Sequence, residues 1–376
     1  MDFVAVDIGA SSTRYVSSTG KVHTIPNNMA FIEIGKEVDM KPYDSNIENA
    51  LEVEIHKNGE SEYFPCKVMV GQMAERYSSN NDRPSVMQNK HKQRINYVSI
   101  ILATALSRVK NNTAEDIELF LALPPIECKK AKDVVKEKIV GEYIVKIPKF
   151  NGGMEVKVNI KDVTCCEESF MAILSYFFDM EGKQREYARK YLTGNILSLD
   201  IGASTTDLSI VKNGRYLDMS GQTYKIGGNI ARDFLIDSVR AEYGFDLPIH
   251  DAEIVMAEGR LQMGNTFVDV SKLVEEAKMH YAKSVTNQMQ GYFRQVDIPI
   301  QSIRAIIVSG GGSMQSQYID SEEVVITSKP MSDYITESLK EICPGVEVES
   351  YGDCPRTANI SGLFLRAKYM ATKAER

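Results

Sequence analysis

Two short segments of the chain share a pattern of aspartate, glycine and hydroxyl residues that could bind a phosphate and its metal. The residues from Asp7 read DIGASST, and those from Asp200 read DIGASTT. Glycine lets a backbone approach a ligand closely, while Ser and Thr add hydroxyl donors beside consecutive backbone N–H groups. An aspartate would repel a bare phosphate, but it suits one that carries Mg²⁺, which meets carboxylates through its own waters. The repeat therefore predicts two loops that clamp a nucleotide polyphosphate and its metal.

The residues around each repeat predict the elements that position it. Apolar, strand-forming residues precede each aspartate, at 4–6 and 197–199, and an alternating run follows each loop, at 15–16 and 208–211. This pattern predicts a β-hairpin in both places. Strands alternate with helical patterns in two related halves, which predicts an α/β protein with two mixed sheets. Ligands of such folds bind at the carboxyl ends of the strands, here in the cleft between the halves.

Two further glycine-rich stretches could lie against a ligand. Gly227 and Gly228 precede an amphipathic helical pattern at 230–243, and Gly310, Gly311 and Gly312 follow a buried strand predicted at 305–308. Neither stretch has the G-x-G-x-x-G spacing of a dinucleotide site. The three consecutive glycines would let a flat purine and its ribose pass close to the backbone. A helix-entry turn at 227–228 and a strand-to-helix loop at 310–312 are the alternatives.

Composition limits the classes of protein that the chain can belong to. Its 376 residues suggest two or three domains, and 43% hydrophobic residues suit a globular protein with a sizeable core. The net charge of −7 gives no reason to expect direct DNA binding. The six cysteines lack C-x-x-C spacing, which favours reduced thiols and a cytoplasmic protein. The sequence offers neither an apolar run of membrane-spanning length nor a signal-peptide pattern.

The order of the motifs resembles the actin superfamily over nearly the whole chain. The resemblance implies an actin-like, ribonuclease H-like fold of duplicated domains around a nucleotide cleft. Domain I would comprise 1–178, with a smaller insertion at about 28–95, plus the C-terminal 345–376; domain II would comprise 195–344. The family binds ATP or GTP with Mg²⁺.

The same resemblance assigns roles to individual residues. Asp7 and Asp200 would serve the metal. Arg14 stands where actins carry a phosphate-contacting lysine, which keeps the charge and changes the geometry. Gly362 matches the second hinge between the halves. The implied nucleotide-binding residues are Gly9, Ala10, Ser11, Ser12, Arg14, Gly202, Ala203, Ser204, Thr205, Gly227, Gly228, Glu275, Lys278, Gly310, Gly311 and Gly312. Of these, Glu275 and Lys278 would contact the base, although Glu and Lys on a helix also suit a solvated face.

A third segment indicates a branch of the superfamily. Residues 160–172, with the pattern Ile-Lys-Asp-Val…Glu-Ser…Ala, resemble the first hinge of the plasmid-segregating actins called ParM or StbA. That family has a glutamate at the position of Glu168, where eukaryotic actin has glutamine. A carboxylate there could orient the water that attacks the γ-phosphate. The alternative is that Glu167 and Glu168 only favour the start of the next helix, where negative charge is stabilising.

The resemblance implies a polymerising ATPase or GTPase that separates plasmid copies. It would assemble with itself, and a small DNA-binding adaptor would link the filament to a centromere-like plasmid site. A small-molecule kinase or phosphatase of the same superfold remains an alternative, although no second acidic base with its own context stands out. A chaperone ATPase is disfavoured because no client-binding segment follows. A membrane-tethered actin is disfavoured because residues 366–373 are only mildly amphipathic.

Overall fold

The computed structural model describes residues 2–39, 45–77, 92–109, 116–314, 317–320, 323–326, 329–351 and 355–374. The chain divides into two compact units. Unit 1 comprises Met1–Gln184 and Asn359–Arg376, and unit 2 comprises Arg185–Ala358. Among the described residues, no helix combines the length and the apolar character needed to cross a membrane.

The described strands form the framework of both units. In chain order they are β1 (Asp2–Ile8), β2 (Ser12–Ser17), β3 (Val22–Pro26), β4 (Met29–Ile32), β5 (Leu51–Lys57), β6 (Cys66–Val70), β7 (Asp116–Leu123), β8 (Gly141–Ile147), β9 (Met154–Glu167), β10 (Asn195–Ile201), β11 (Thr206–Lys212), β12 (Arg215–Tyr216), β13 (Gln222–Tyr224), β14 (Arg260–Met263), β15 (Thr266–Asp269), β16 (Ile303–Ser309), β17 (Gln317–Asp320), β18 (Glu323–Ile326) and β19 (Glu347–Ser350).

The described helices follow the apolar spacing of the sequence. In chain order they are α1 (Ala74–Tyr77), α2 (Arg94–Leu106), α3 (Pro125–Ile139), α4 (Glu168–Phe177), α5 (Asn229–Tyr243), α6 (Ile249–Glu258), α7 (Ser271–Val296), α8 (Met331–Ile342) and α9 (Ala358–Ala374). The helix expected from Ile230 begins at Asn229. The long helix α7 begins at Ser271, directly after residues 266–269 pair as a strand.

The sheet of unit 1 has the described order β3-β2-β1-β7-β9-β8-β5-β6-β4. Its centre, β1, β7 and β9, is parallel, while β1 and β2 form the first predicted hairpin, which is confirmed. Strands β4, β5 and β6 lie in the insertion expected at about 28–95 and extend the same sheet. Residues 40–44 and 78–91 of that insertion lie outside the described residues. Helix α2 is buried at every position from Ile95 to Leu106. Its mainly apolar sequence suits a helix without a solvated face.

The sheet of unit 2 has the described order β12-β11-β10-β16-β19, and β13 also pairs with β11. Strands β10 and β11 form the second predicted hairpin, which is confirmed. Strand β19 pairs in parallel with β16, from Ala305 opposite Glu347 to Val308 opposite Ser350. Residues 347–350 therefore lie in the sheet of unit 2, whereas the sequence grouped everything from 345 onward with domain I. Pairing with a strand some forty residues away is a tertiary contact that the local pattern does not encode.

Candidate functional site

The first aspartate–glycine loop is a tight connection between β1 and β2. Its ends are joined by the Gly9 N–H, which donates to the Ser12 carbonyl oxygen at 2.9 Å. A Cβ on residue 9 would lie 2.9 Å from that same oxygen, so the turn closes only around glycine. The pairing register places Asp7 opposite Arg14. The Asp7 carboxylate is buried, and its Oδ2 lies 3.8 Å from the Arg14 guanidinium, which offsets the cost of burying the charge.

Asn27 holds the first loop in place. Its side-chain amide donates to the Gly9 carbonyl oxygen at 2.6 Å, and its backbone N–H donates to the Ser11 carbonyl oxygen at 2.9 Å. Its Oδ1 accepts hydroxyl hydrogens from Thr13 at 2.8 Å and Ser99 at 3.3 Å. Asn27 is only 2% exposed. Sequence reasoning recognised only a turn here. The available signal was a pair of asparagines, at 27 and 28, between two strand-forming segments.

The bond from Asn27 also decides which way the loop presents its backbone. A trans peptide is planar, so the N–H of residue 10 points opposite to the carbonyl of residue 9. Because the Gly9 carbonyl is directed at Asn27, the Ala10 N–H points away from it. Backbone N–H groups aimed outward from a tight turn are the donors that anion sites use.

Glu168 lies at the same edge of the unit 1 sheet as this loop. In the parallel centre of the sheet, Asp7 pairs with Ala122, and Ala122 pairs with Cys166. Asp7 and Cys166 are therefore level, about 10 Å apart at two strand spacings. Glu168 follows two residues later as the first residue of α4 and is 6% exposed. The carboxyl ends of β1 and β9 thus present two buried carboxylates and a glycine loop, the usual position of a ligand in such sheets.

The second loop in unit 2 repeats this construction with other donors. The Gly202 N–H donates to the Thr205 carbonyl oxygen at 2.8 Å. The carbonyl of Gly202 accepts from the Gly228 N–H at 3.0 Å, and the carbonyl of Ala203 accepts from the Asn229 N–H at 2.8 Å. By the same peptide geometry, the N–H groups of residues 203 and 204 point away from the 228–229 segment. In both loops, hydrogen bonds from a neighbouring segment therefore fix the carbonyl groups on one side, and the N–H groups point to the other side.

Two carboxylates face each other at the base of this second loop. Asp200 pairs directly with Asp207 across the hairpin, both are buried, and their carboxylate oxygens lie within 4.8 Å. Each accepts one hydroxyl hydrogen, Asp200 from Ser309 at 3.2 Å and Asp207 from Thr223 at 2.6 Å. Two like charges at this spacing favour a cation beside them. The sequence predicted Asp200 and missed Asp207, whose counterpart in the first hairpin is Arg14.

The glycine stretches of unit 2 pack directly against the second loop. A Cβ on Gly227 would overlap the Ala203 carbonyl oxygen, and one on Gly312 would lie 2.6 Å from the Gly202 carbonyl oxygen. Gly310 has φ of +88°, and a Cβ there would overlap the Ile201 carbonyl oxygen. At Gly311, by contrast, a Cβ would meet nothing closer than the Arg356 side chain at 3.4 Å. The structure thus brings the predicted stretches 202–205, 227–228 and 310–312 together.

Glu275 and Lys278 lie one turn apart on α7 and line a cavity of about 270 Å³ within unit 2. The other lining residues are Glu258, Gly259, Ser271, Val274, Lys329 and Tyr334. The Lys278 ammonium donates to the Lys329 carbonyl oxygen at 2.7 Å. Burial lowers the pKa of Lys278 to about 8, while the neighbouring Glu275 carboxylate acts to raise it. Lys278 is therefore buried in the wall of this cavity, whereas Glu275 lines the cavity but is exposed, as expected for a solvated helix face.

Two elements connect this cavity to the glycine loops. Tyr281, one turn beyond Lys278 on α7, places its hydroxyl 3.1 Å from the Thr206 hydroxyl at the start of β11. Helix α8, which carries Tyr334, contacts the turn at Gly311–Met314.

Gly362, the predicted second hinge, lies on α9, where a Cβ would overlap the Met171 carbonyl of α4. Its local role in unit 1 is a close helix contact.

Family models match both halves of the chain. Residues 5–170 match the N-terminal domain of actin-like proteins, and residues 198–317 match the C-terminal domain of an archaeal MreB-like actin homologue. A search of curated proteins returned no match.

Solved structures share the fold along the whole chain. An archaeal actin homologue is 17% identical with a TM-score of 0.68, covering 98% of this chain and 100% of that one. A ParM from Clostridium botulinum, solved as a 15-stranded filament, is 18% identical with a TM-score of 0.68, at 98% and 99% coverage. Bacillus thuringiensis ParM with AMPPNP is 15% identical with a TM-score of 0.66, at 99% and 99% coverage. The resemblance to the actin superfamily that the motifs predicted is confirmed.

Proposed function

The chain has an actin-like fold, mixed α/β with a sheet in each unit, and we propose that it is a filament-forming nucleotidase that hydrolyses ATP or GTP. One observation carries this proposal. The loop at 202–205 accepts hydrogen bonds from the backbone of 228–229. Side chains at 227, 310 and 312 would collide with the backbone of 201–203, at the end of β10 and the start of this loop. Three glycines without side chains let these backbone segments pack closely, and such an arrangement suits a ligand that is bound by main-chain atoms.

The chemical groups of the two aspartate–glycine loops support the assignment of the nucleotide to them. The outward N–H groups and hydroxyls of 9–12 and 202–205 suit phosphate oxygens. Arg14 adds a fixed positive charge beside the first loop. The buried carboxylates of Asp7, Asp200 and Asp207 suit Mg²⁺, which binds oxygen ligands directly or through its waters. The cavity at Glu275 and Lys278 suits the base, whose ring edge offers acceptors to an ammonium and donors to a carboxylate.

Hydrolysis is assigned to Glu168. A buried carboxylate at the carboxyl edge of the unit 1 sheet can accept a hydrogen bond from a water and hold it for attack on a phosphorus atom. Its position at the first residue of α4 places the negative charge where the helix dipole stabilises it.

The chain assembles with itself in this proposal, and the resulting filament segregates plasmids. The support is the fold that it shares with ParM structures, one of them a filament. The acidic balance, −7 at neutral pH, suits a protein that meets DNA through an adaptor rather than directly. The adaptor would be a DNA-binding protein at a centromere-like plasmid site.

Sedimentation with nucleotide tests the proposal. The protein should pellet above a critical concentration with ATP or GTP and Mg²⁺, and much less with the diphosphate or with EDTA. The Asp200→Ala variant should bind nucleotide more weakly by about 1–3 kcal/mol, the scale of a lost charged partner. A protein that binds nucleotide but stays monomeric with either triphosphate would instead support the small-molecule kinase alternative.

A further inference from the structure

A surface hairpin in unit 2 presents an aromatic side chain where a polar one is expected. Strands β14 and β15 pair as a two-stranded ribbon, with Leu261 opposite Val268 on the face that packs on the core of unit 2. The other face carries Phe267, which is 62% exposed, with the Arg260 guanidinium 5.7 Å from its ring. An outward strand position normally holds a polar residue. A large exposed ring beside a cation is typical of an interface anchor.

An apolar cavity lies at the far end of the long helix that follows this hairpin. It has a volume of about 490 Å³ and is formed where α7 ends and α8 ends. Its lining residues are Gln290, Phe293, Arg294, Asp297, Ile298, Pro299, Ile300 and Ile342. Most of this lining is apolar, and a cavity of this size accommodates an aromatic ring. Asp297 lies just past the helix terminus, where the helix dipole is also negative.

The hairpin and the cavity lie at opposite ends of α7. Phe267 precedes the first residue of the helix by four positions, and Asp297 directly follows its last residue, Val296. The 26 residues of the helix span about 39 Å at 1.5 Å per residue. A protruding group at one end and a receiving cavity at the other cannot meet within one molecule. Between two copies they would form a head-to-tail contact, which builds a filament when the rotation between successive copies does not close a ring.

The charges around the two surfaces are complementary. The outward face of the hairpin carries Arg260 directly opposite Asp269, and the cavity carries Arg294 and Asp297. Each side therefore offers one cation and one anion next to apolar surface. A docked copy can place Arg260 against Asp297 while the ring enters the cavity. Such pairing at the rim sets the register of a contact, and the buried ring supplies most of the affinity.

We propose that Phe267 of one copy inserts into the cavity at Ile298 of the next copy, with Arg260 facing Asp297, and that this is the longitudinal contact of the filament. The inference rests on the proposed polymerisation and names the surface that carries it. The occupant of the cavity is therefore a second copy of this chain.

The critical concentration for pelleting with ATP or GTP and Mg²⁺ tests the contact. Phe267→Ser should raise it at least about tenfold, as expected for an aromatic anchor, and should leave nucleotide binding and the melting temperature unchanged. Tyr369→Ser is the matched control, because Tyr369 is an aromatic residue of similar exposure, 59%, on α9 of unit 1. That variant should pellet like the wild type.

A double-mutant cycle tests the pairing itself. If Phe267 enters the cavity, Ile298→Ser also raises the critical concentration, and adding it to Phe267→Ser has little further effect. If the two substitutions instead raise the critical concentration by factors that multiply in the double variant, the two residues belong to different contacts and the pairing is overturned. Normal pelleting of Phe267→Ser alone would overturn the inference while leaving polymerisation intact. A wild-type protein that never pellets would instead refute the proposed function.

Discussion

The side-chain amide of Asn27 reaches eighteen residues back along the chain to donate a 2.6 Å hydrogen bond to the carbonyl oxygen of Gly9. Among the described residues, no side chain takes this role at the second loop. There the Gly202 carbonyl accepts from the backbone of Gly228. The duplicated loop is thus supported by a buried side chain in unit 1 and by a helix entry in unit 2. The two supports predict different sensitivities to mutation.

Replacing Asn27 with alanine should loosen the first loop. The variant leaves the Gly9 carbonyl and the Thr13 hydroxyl without their partner in a buried site, which costs about 1–3 kcal/mol of stability. Nucleotide affinity should fall about tenfold, since the loop's N–H groups lose their fixed direction. Calorimetric titration with the triphosphate and thermal melting measure both effects. Asn58→Ala, at an exposed position, is the control and should change neither; equal behaviour of the two variants would contradict the role of Asn27.

Replacing Gly227 with alanine should damage the second loop through sterics alone. The new methyl group would overlap the Ala203 carbonyl oxygen and force either the loop or the start of α5 to shift. We expect the free energy of nucleotide binding to weaken by about 1–3 kcal/mol, the usual cost of overpacking. Fluorescence titration with a labelled nucleotide measures this. Gly291→Ala on α7 is the matched control because a Cβ there meets nothing within 4 Å; it should bind normally and melt slightly higher.

The elements of the candidate site that depend only on nearby residues could be predicted from the sequence. Both hairpins, the helix after Gly228 and the strand before Gly310 follow from alternation, helical spacing and glycine placement. A short strand near 346–348 follows from the sequence, but its pairing with β16 and the contacts of Asn27 escaped prediction, because the partners are distant in sequence and nothing nearby marks them. Asp207 could have been found. The seven-residue separation of Asp7 and Arg14 recurs between Asp200 and Asp207, so one hairpin register predicts the other.

Lys278 should make the stability of unit 2 depend on pH. Its pKa is lowered from 10.5 to about 8 by burial, so between these values the unfolded chain binds a proton that the folded protein does not. Stability therefore rises with pH across about 8 to 10.5, by up to about 1.4 kcal/mol per unit for this group. Below pH 8 the folded protein carries the full cost of the buried charge.

Denaturant titrations of wild type and Lys278→Met at pH 7.5, 9 and 10 measure this dependence. The wild type should gain stability relative to the variant as the pH rises, because only the wild type is relieved of the charge. Lys283→Met, at an exposed position on the same helix, should run parallel to the wild type. Parallel curves for Lys278→Met as well would show that Lys278 stays protonated across this range.

Glu168 should separate nucleotide binding from hydrolysis. Its carboxylate is buried at the first residue of α4, two residues beyond Cys166, which is level with Asp7 of β1. If it positions the attacking water, Glu168→Ala should lower the rate of phosphate release about 10²–10⁴-fold, the usual contribution of one positioned acid–base group. Affinity for the triphosphate and pelleting should remain near wild type. Filaments should persist longer, because the triphosphate that supports them is no longer consumed.

Glu167 provides the internal control for this assignment. It is the last residue of β9 and the residue before α4, so its side chain and that of Glu168 leave the backbone in different directions. Glu167→Ala should therefore hydrolyse nucleotide at close to the wild-type rate. A dead Glu167 variant beside an active Glu168 variant would move the catalytic role by one residue. Normal phosphate release from both would leave the pair with only the electrostatic role of stabilising the start of α4.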